Sequence, residues 1–212
     1  MRPSAAFDIL RRQMPPIKFA VAAATVSVLL VLSGCASTTV ETTGSPLKAP
    51  LCAVGAQALT TVVYWGPQWR SDQKEPLLRE AAALRGIEDF LRRTSCLAVG
   101  GLHRLPNGEA APSDDELMRS VTSASAIPER VVLIVVRELG PRITIGIPVI
   151  VDGGTEVLID VHVLDPPHST SLANVRTLWR NGGSFVVKGV NTLDQDMSAA
   201  LSATLMPHGA EQ

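Results

Sequence analysis

Six consecutive apolar residues, Val131, Val132, Leu133, Ile134, Val135 and Val136, constrain this chain more than any other stretch. Five of them are β-branched, which stiffens the side chain and favours extended backbone. A run with no polar alternate has no side to show to water. It therefore reads as a central strand buried on both faces.

The rest of the chain is placed around that strand. Residues 59–64 read as a strand. Residues 72–93 read as an amphipathic helix, with Asp72 and Glu75 as a capping box and Pro76 near its start. Leu77, Ala81, Leu84, Ile87 and Leu91 recur at helical spacing as its buried stripe, and Arg79, Arg85, Glu88, Arg92 and Arg93 fall on the solvated side. A short strand over 97–99 runs into Gly100-Gly101. Ser113 with Glu116 forms a second capping box and opens a short helix through Leu117 and Val121. Beyond the central strand, Ile143, Ile145, Ile147, Val149 and Val151 alternate as a strand with one buried face, and Pro148 marks an edge or bulge. Asp152-Gly153-Gly154 reads as a hairpin turn. Val157, Ile159, Val161 and Val163 alternate in the return strand, which Asp165-Pro166-Pro167 stops. A further ribbon runs over 175–179, turns at Asn181-Gly182-Gly183 and returns over 185–187. Thr192 with Gln195 caps a last helix whose stripe is Leu193, Met197, Ala200, Leu201 and Leu205. The order predicts an α/β fold: β-α-β-α-β, then a β-meander and a C-terminal helix, in a single mixed sheet with helices mainly on one face.

Trp65-Gly66-Pro67-Gln68-Trp69-Arg70 holds two of the three tryptophans of an aromatic-poor chain. Gly66-Pro67 reads as a turn. Tryptophan in a loop beside arginine is the composition of a binding hot spot. Trp65, Gln68, Trp69 and Arg70 are therefore candidate partner-binding residues, with one ring expected to cap the core and the other to make the contact.

The amino-terminal region resembles a bacterial lipoprotein signal. Arg2, Arg11, Arg12 and Lys18 form a basic segment, residues 19–32 an apolar one, and Leu32-Ser33-Gly34-Cys35 has the layout of a lipobox. Met14 could equally serve as the start of that signal. Small residues before the cysteine give a peptidase access to the backbone, and the Cys35 thiol can take a diacylglyceryl thioether. The resemblance implies a signal peptide over 1–34, a lipid on Cys35 and anchoring to a membrane. Ala36, rather than Asp, implies sorting to the outer membrane, with the domain facing the periplasm. Residues 35–50, rich in Ser, Thr, Gly and Pro, read as a flexible tether of roughly 50 Å at full extension. One periplasmic domain is expected over 51–207 and a tail over 208–212. Past the inner membrane the compartment is oxidising, so Cys52 and Cys96 are expected to pair and to contribute about 4 kcal/mol.

At the level of the domain, the element order resembles the periplasmic lipoprotein domains with an anticodon-binding-like fold. That group includes activators of penicillin-binding proteins, the curli secretion lipoprotein and the amino-terminal domain of the Tol-system propeller protein. The resemblance rests on the buried strand over 131–136 after a short helix, and on an alternating strand followed by Asp165 and later Trp179. It carries over no functional residue.

No Gly-x-Ser-x-Gly, Walker loop or dinucleotide fingerprint occurs in the sequence. Asp160 and His162 share a strand face, which reads as the solvated side of a sheet rather than a metal pair. No catalytic residue, metal or cofactor is assigned. Residues 1–34 carry four of the 19 basic residues and one of the 20 acids. Their loss leaves 15 and 19, a net charge of −4, with no basic cluster for nucleic acid. The sequence thus points to a non-catalytic, lipid-anchored envelope protein that binds or scaffolds an unidentified envelope partner, in cell-wall synthesis, secretion or lipid transport. The alternative is a subunit of an oligomeric outer-membrane secretion channel, with residues 143–163 as a membrane strand pair. An unrecognised periplasmic enzyme is the third reading.

Overall fold

The computed structural model describes residues 36–51, 55, 57–106, 110–124, 126–146 and 150–207. The described elements are β1 (Ser37–Ser45), β2 (Leu59–Pro67), α1 (Pro76–Arg93), β3 (Leu97–Arg104), α2 (Asp114–Thr122), β4 (Arg130–Gly146), β5 (Ile150–Asp165), β6 (Thr170–Ser184) and α3 (Leu193–Leu205). The six strands form one mixed sheet in the order β1-β6-β5-β4-β2-β3. β2 runs parallel to β3 and β4; the remaining neighbours are antiparallel.

The central run behaves as its composition requires. Val132, Ile134 and Val136 join one apolar cluster with α1 and α3, and Val131, Leu133 and Val135 join another with Leu117 and Val121 of α2. Two helices thus cover one face and the third covers part of the other. Val157, Ile159, Val161 and Val163 of β5 are all fully buried under the two-helix layer. Each such side chain contributes roughly 1.5–3 kcal/mol. These residues belong to a protein core, so residues 157–163 do not face lipid as a membrane strand would. Among the described residues no helix is long and apolar enough to cross a membrane.

Local signals set α2 and α3. Ser113 Oγ accepts from the Glu116 N–H at 3.3 Å, and Glu116 Oε2 accepts from the Ser113 N–H at 2.8 Å, the capping box in both directions. Leu193, Met197, Ala200, Leu201 and Leu205 of α3 are all buried, as their spacing requires. Thr192 precedes α3 without a side-chain cap; its hydroxyl donates instead to Asp196 Oδ2 at 3.1 Å.

α1 departs from its expected start and phase. It begins at Pro76, and Glu75 sits before it in a left-handed conformation (φ 51°) with no side-chain cap, so the Asp72–Glu75 box does not form. The buried face is Arg79, Ala82, Ala83, Gly86, Ile87 and Phe90, and Leu77 is exposed. Small residues set this phase because α1 packs closely on α3. A Cβ added at Gly86 would stand 2.5 Å from the Asp194 carbonyl oxygen and 2.6 Å from Met197 Cβ.

Three loop readings become strand. Residues 37–45, expected as part of a tether over 35–50, form the edge strand β1 and pair with β6 through nine consecutive rows, from Ser37 opposite Gly182 to Ser45 opposite Asn174. Every residue of β1 is exposed, so it is held by the backbone ladder and not by burial. Its threonines and Val40 suit extended backbone. Asp152-Gly153-Gly154 and Asn181-Gly182-Gly183 are not turns: they lie inside β5 and β6, where Gly154 faces Gly182 and Gly153 faces Gly183. Gly154 has φ 152°, and a Cβ on Gly182 would collide with the Gly153 carbonyl oxygen, so glycine serves close strand approach there. The β4–β5 connection, residues 147–149, lies outside the described residues, as does the tail over 208–212.

Candidate functional site

The Trp65–Arg70 stretch does not form a turn at Gly66-Pro67. β2 continues through Pro67, with Trp65 between Arg104 of β3 and Ile134 of β4, and Pro67 opposite Val136. Proline is tolerated at this last position, and the ladder extends one step further as the Gln68 N–H donates to the Val136 carbonyl at 2.9 Å. Trp65 therefore alternates inward with Val63 and is only 2 % exposed. It is a core residue, not a contact residue. Trp69 lies beyond the strand end, half-buried, with one side of its ring on the same core.

Gln68, Trp69 and Arg70 converge with four residues that the sequence did not single out. Together with Arg137, Glu138, Glu156 and Leu158 they line an open groove of about 270 Å³. A β-bulge builds it. Val136 pairs with Ile159 and Glu138 with Leu158, so Arg137 is the extra residue on β4. A bulge re-aims the side chain it carries. Arg137 Nε donates to Asp160 Oδ2 at 2.8 Å, and its Nη1 donates to Gln68 Oε1 at 2.5 Å. Arg176 grips the same carboxylate with two bonds, 2.6 and 3.0 Å. Burial pushes the Asp160 carboxyl up, but the Arg176 and Arg137 guanidiniums outweigh it and hold it below the usual carboxylate range.

The opposite wall is pinned at Glu138. Its carboxylate takes Arg79 Nη1 and Gln73 Nε2, each at 3.1 Å, and Arg70 Nη2 at 3.2 Å. Arg79 also donates to the carbonyls of Lys74, at 2.7 Å, and Leu139. Arg79 was expected on a solvated face; it is buried because the loop over 70–75 folds across it. The indole N–H of Trp69 is buried with no hydrogen-bond acceptor among the described residues.

The groove offers an aromatic edge, the apolar Leu158, the mostly exposed Arg70 and carboxylates already held by arginines. Glu156 Oε2 accepts from Arg180 Nε at 2.7 Å. The signal for Arg137 and Glu138 lay in the sequence as a charged pair directly after the apolar run over 131–136.

The remaining sequence candidates fall elsewhere. Cys35 and Cys52 lie outside the described residues. Cys96, between α1 and β3, is half-buried and disulfide-bonded. Asp160 is buried and held by arginines, and His162 Nδ1 is 2.6 Å from Asp114 Oδ1 of α2. Among the described residues no cluster of three or more His, Cys, Asp or Glu could hold a metal ion.

No family model matches the chain, and no curated protein matches it. Among solved structures it is similar to the PelC dodecamer from Paraburkholderia phytofirmans, at 14 % identity and TM-score 0.41, covering 81 % of this chain and 100 % of that one. A point variant of that PelC matches at 18 % identity and TM-score 0.41, over 80 % and 99 % of the two chains. Lipoprotein GNA1162 from Neisseria meningitidis matches at 15 % identity and TM-score 0.35, over 68 % and 96 %.

Proposed function

We propose that this chain is a non-catalytic lipoprotein of the bacterial envelope, anchored through Cys35 at the outer membrane, that engages a protein partner through the groove at Trp69. The observation that carries the binding role is the convergence on one open concavity of a half-buried tryptophan, an exposed arginine and an apolar floor, which is the make-up of an interface anchor. The anchoring role rests on Leu32-Ser33-Gly34-Cys35 behind a basic and then an apolar segment. Cys52 is the proposed disulfide partner of Cys96. The domain-level likeness to the anticodon-binding-like periplasmic lipoproteins belongs to the same reading.

The test is a photo-crosslinking residue in place of Trp69, in cells of the native host, with a second at exposed Leu77 as control. A discrete protein adduct at 69 and none at 77 is the expected result. A folded, membrane-associated protein that gives no adduct at 69 refutes the groove as a partner site.

A further inference from the structure

We propose that the end of the sheet where β1 begins docks onto a lipid bilayer, seating Ile143, Ile145, Phe185 and Val187 at the boundary between headgroups and acyl chains. The inference rests on anchoring at Cys35 and adds a second, side-chain-mediated contact to it.

Among the described residues, five large hydrophobics are more than 60 % exposed, and four of them are these. The fifth, Leu77, lies on α1. The alternation along β4 explains the first two. After the bulge at Arg137, Leu139 returns to the face covered by α1 and α3 and is fully buried. Ile143 and Ile145 follow on the same face at even spacing, yet they are 61 % and 70 % exposed. The apolar face of the sheet therefore runs on past its helical cover.

Phe185 and Val187 lie on the segment that leads from β6 back to α3. The Phe185 N–H donates to the Val151 carbonyl at 2.8 Å, and Val151 pairs with Ile145, so Phe185 is held at the same end of the sheet. Its φ is 64°, an uncommon conformation for an aromatic residue, and its ring is left exposed. Nothing within the described fold uses that ring.

Chain connectivity says what lies beside this end. Ser37, Gly182, Gly154 and Arg142 form one row across the sheet. From that row the β4–β5 hairpin projects four further residues of β4, roughly 13 Å. β1 is antiparallel to β6, so the chain upstream of Ser37 departs from that same end. Cys35 is two residues upstream and cannot be more than about 7 Å from Ser37. A lipid on Cys35 thus brings a bilayer to the exposed isoleucines.

The charges nearby are paired: Arg142 with Asp152 at 3.4 Å, and Arg180 with Glu156 at 2.7 Å and Glu41 at 3.5 Å. The contact is therefore one of apolar insertion and needs no anionic lipid.

The experiment uses the lipidated protein in phosphatidylcholine vesicles, labelled with an environment-sensitive fluorophore at a single added cysteine. The variants are Ile145→Cys, Phe185→Cys and, as control, Leu77→Cys. At 145 and 185 the emission is expected to shift to the blue and to be quenched by lipids carrying a nitroxide near the headgroup; at 77 it should stay water-like and unquenched. Water-like emission at 145 and 185 overturns the proposal, as does a blue shift without lipid quenching, which reports burial against protein. Docking that appears only when anionic lipid is added overturns it too. The mass of the same preparation separates this from the anchoring reading. With a diacylglyceryl adduct on Cys35, a negative probe result sinks the docking edge alone. Without the adduct, both readings fall.

Discussion

Arg79 and Glu138 meet at 3.1 Å beneath the loop that carries Trp69, with side chains only 10 % and 15 % exposed. They stand 59 positions apart in sequence, one on α1 and one beside the β4 bulge. The pair couples the helical layer to the groove wall. Removing one partner of a buried pair costs up to about 3–5 kcal/mol; here Glu138 keeps Arg70 and Gln73, while the Lys74 and Leu139 carbonyls lose their donor. Arg79→Ala is expected to lower stability by about that amount in urea titration. Exposed Arg70 also touches Glu138, and Arg70→Ala should cost no more than about 1 kcal/mol.

The two tryptophans of the Trp65–Arg70 stretch should behave as opposites. Trp65→Ala empties a fully packed site and is expected to cost about 3–5 kcal/mol, a large part of the roughly 5–15 kcal/mol that holds an ordinary domain folded. Trp69→Ala should keep the circular dichroism spectrum and cooperative unfolding of the parent while no longer co-purifying with the partner that an aromatic photo-crosslinking residue at 69 captures. Equal loss of folding in both variants would refute the division.

At Gly86, α1 lies close against α3. Alanine normally gains up to about 1 kcal/mol over glycine inside a helix. Here its Cβ would press on the Asp194 carbonyl oxygen, which is backbone and cannot swing away. Overpacking of this kind costs about 1–3 kcal/mol, so Gly86→Ala is expected to be net destabilising. Thermal denaturation should show a lower Tm; a rise would mean that the two helices can separate at no cost.

Asp160 and Asp165 give the domain an acid limit. In each, burial pushes the carboxyl up and is outweighed, by Arg176 and Arg137 for Asp160, and by the His168 hydrogen bonds and Arg130 for Asp165. Both are held below the usual range, so the native chain binds fewer protons than the unfolded chain, whose aspartates titrate near about 3.9. Their contribution is complete above that value and is lost as pH falls through the folded pKa. Urea unfolding should show stability dropping as the pH falls below about 4. Asp160→Asn should flatten that drop while costing about 1–3 kcal/mol near neutrality.

Signals legible in the sequence are those that a few adjacent residues decide. The Ser113–Glu116 box, the α3 stripe and the two-faced burial of 131–136 each depend on local spacing and are found as read. What escaped depends on distant partners. β1 has no buried side chain, and only β6, more than a hundred residues later, makes it a strand. The glycines at 153–154 and 182–183 look like turns singly, and face each other only once β5 and β6 are paired. The α1 stripe was misphased because alanine and glycine, not leucine, meet α3. The groove was half legible: Gln68, Trp69 and Arg70 were named, but Arg137 reaches them only through a bulge that has no sequence signature of its own.

β1 begins at Ser37, and this gives the proposed anchor a mechanical character. A lipid on Cys35 would not hang the domain from a slack leash. A pull on Cys35 along the strand axis would load the β1–β6 ladder in shear, so that its nine paired rows resist together instead of opening one by one. Tension between membrane and partner would then reach β6 and, through its neighbours β5 and β4, the groove at Trp69. The sheet itself would then be the line along which such a load is carried.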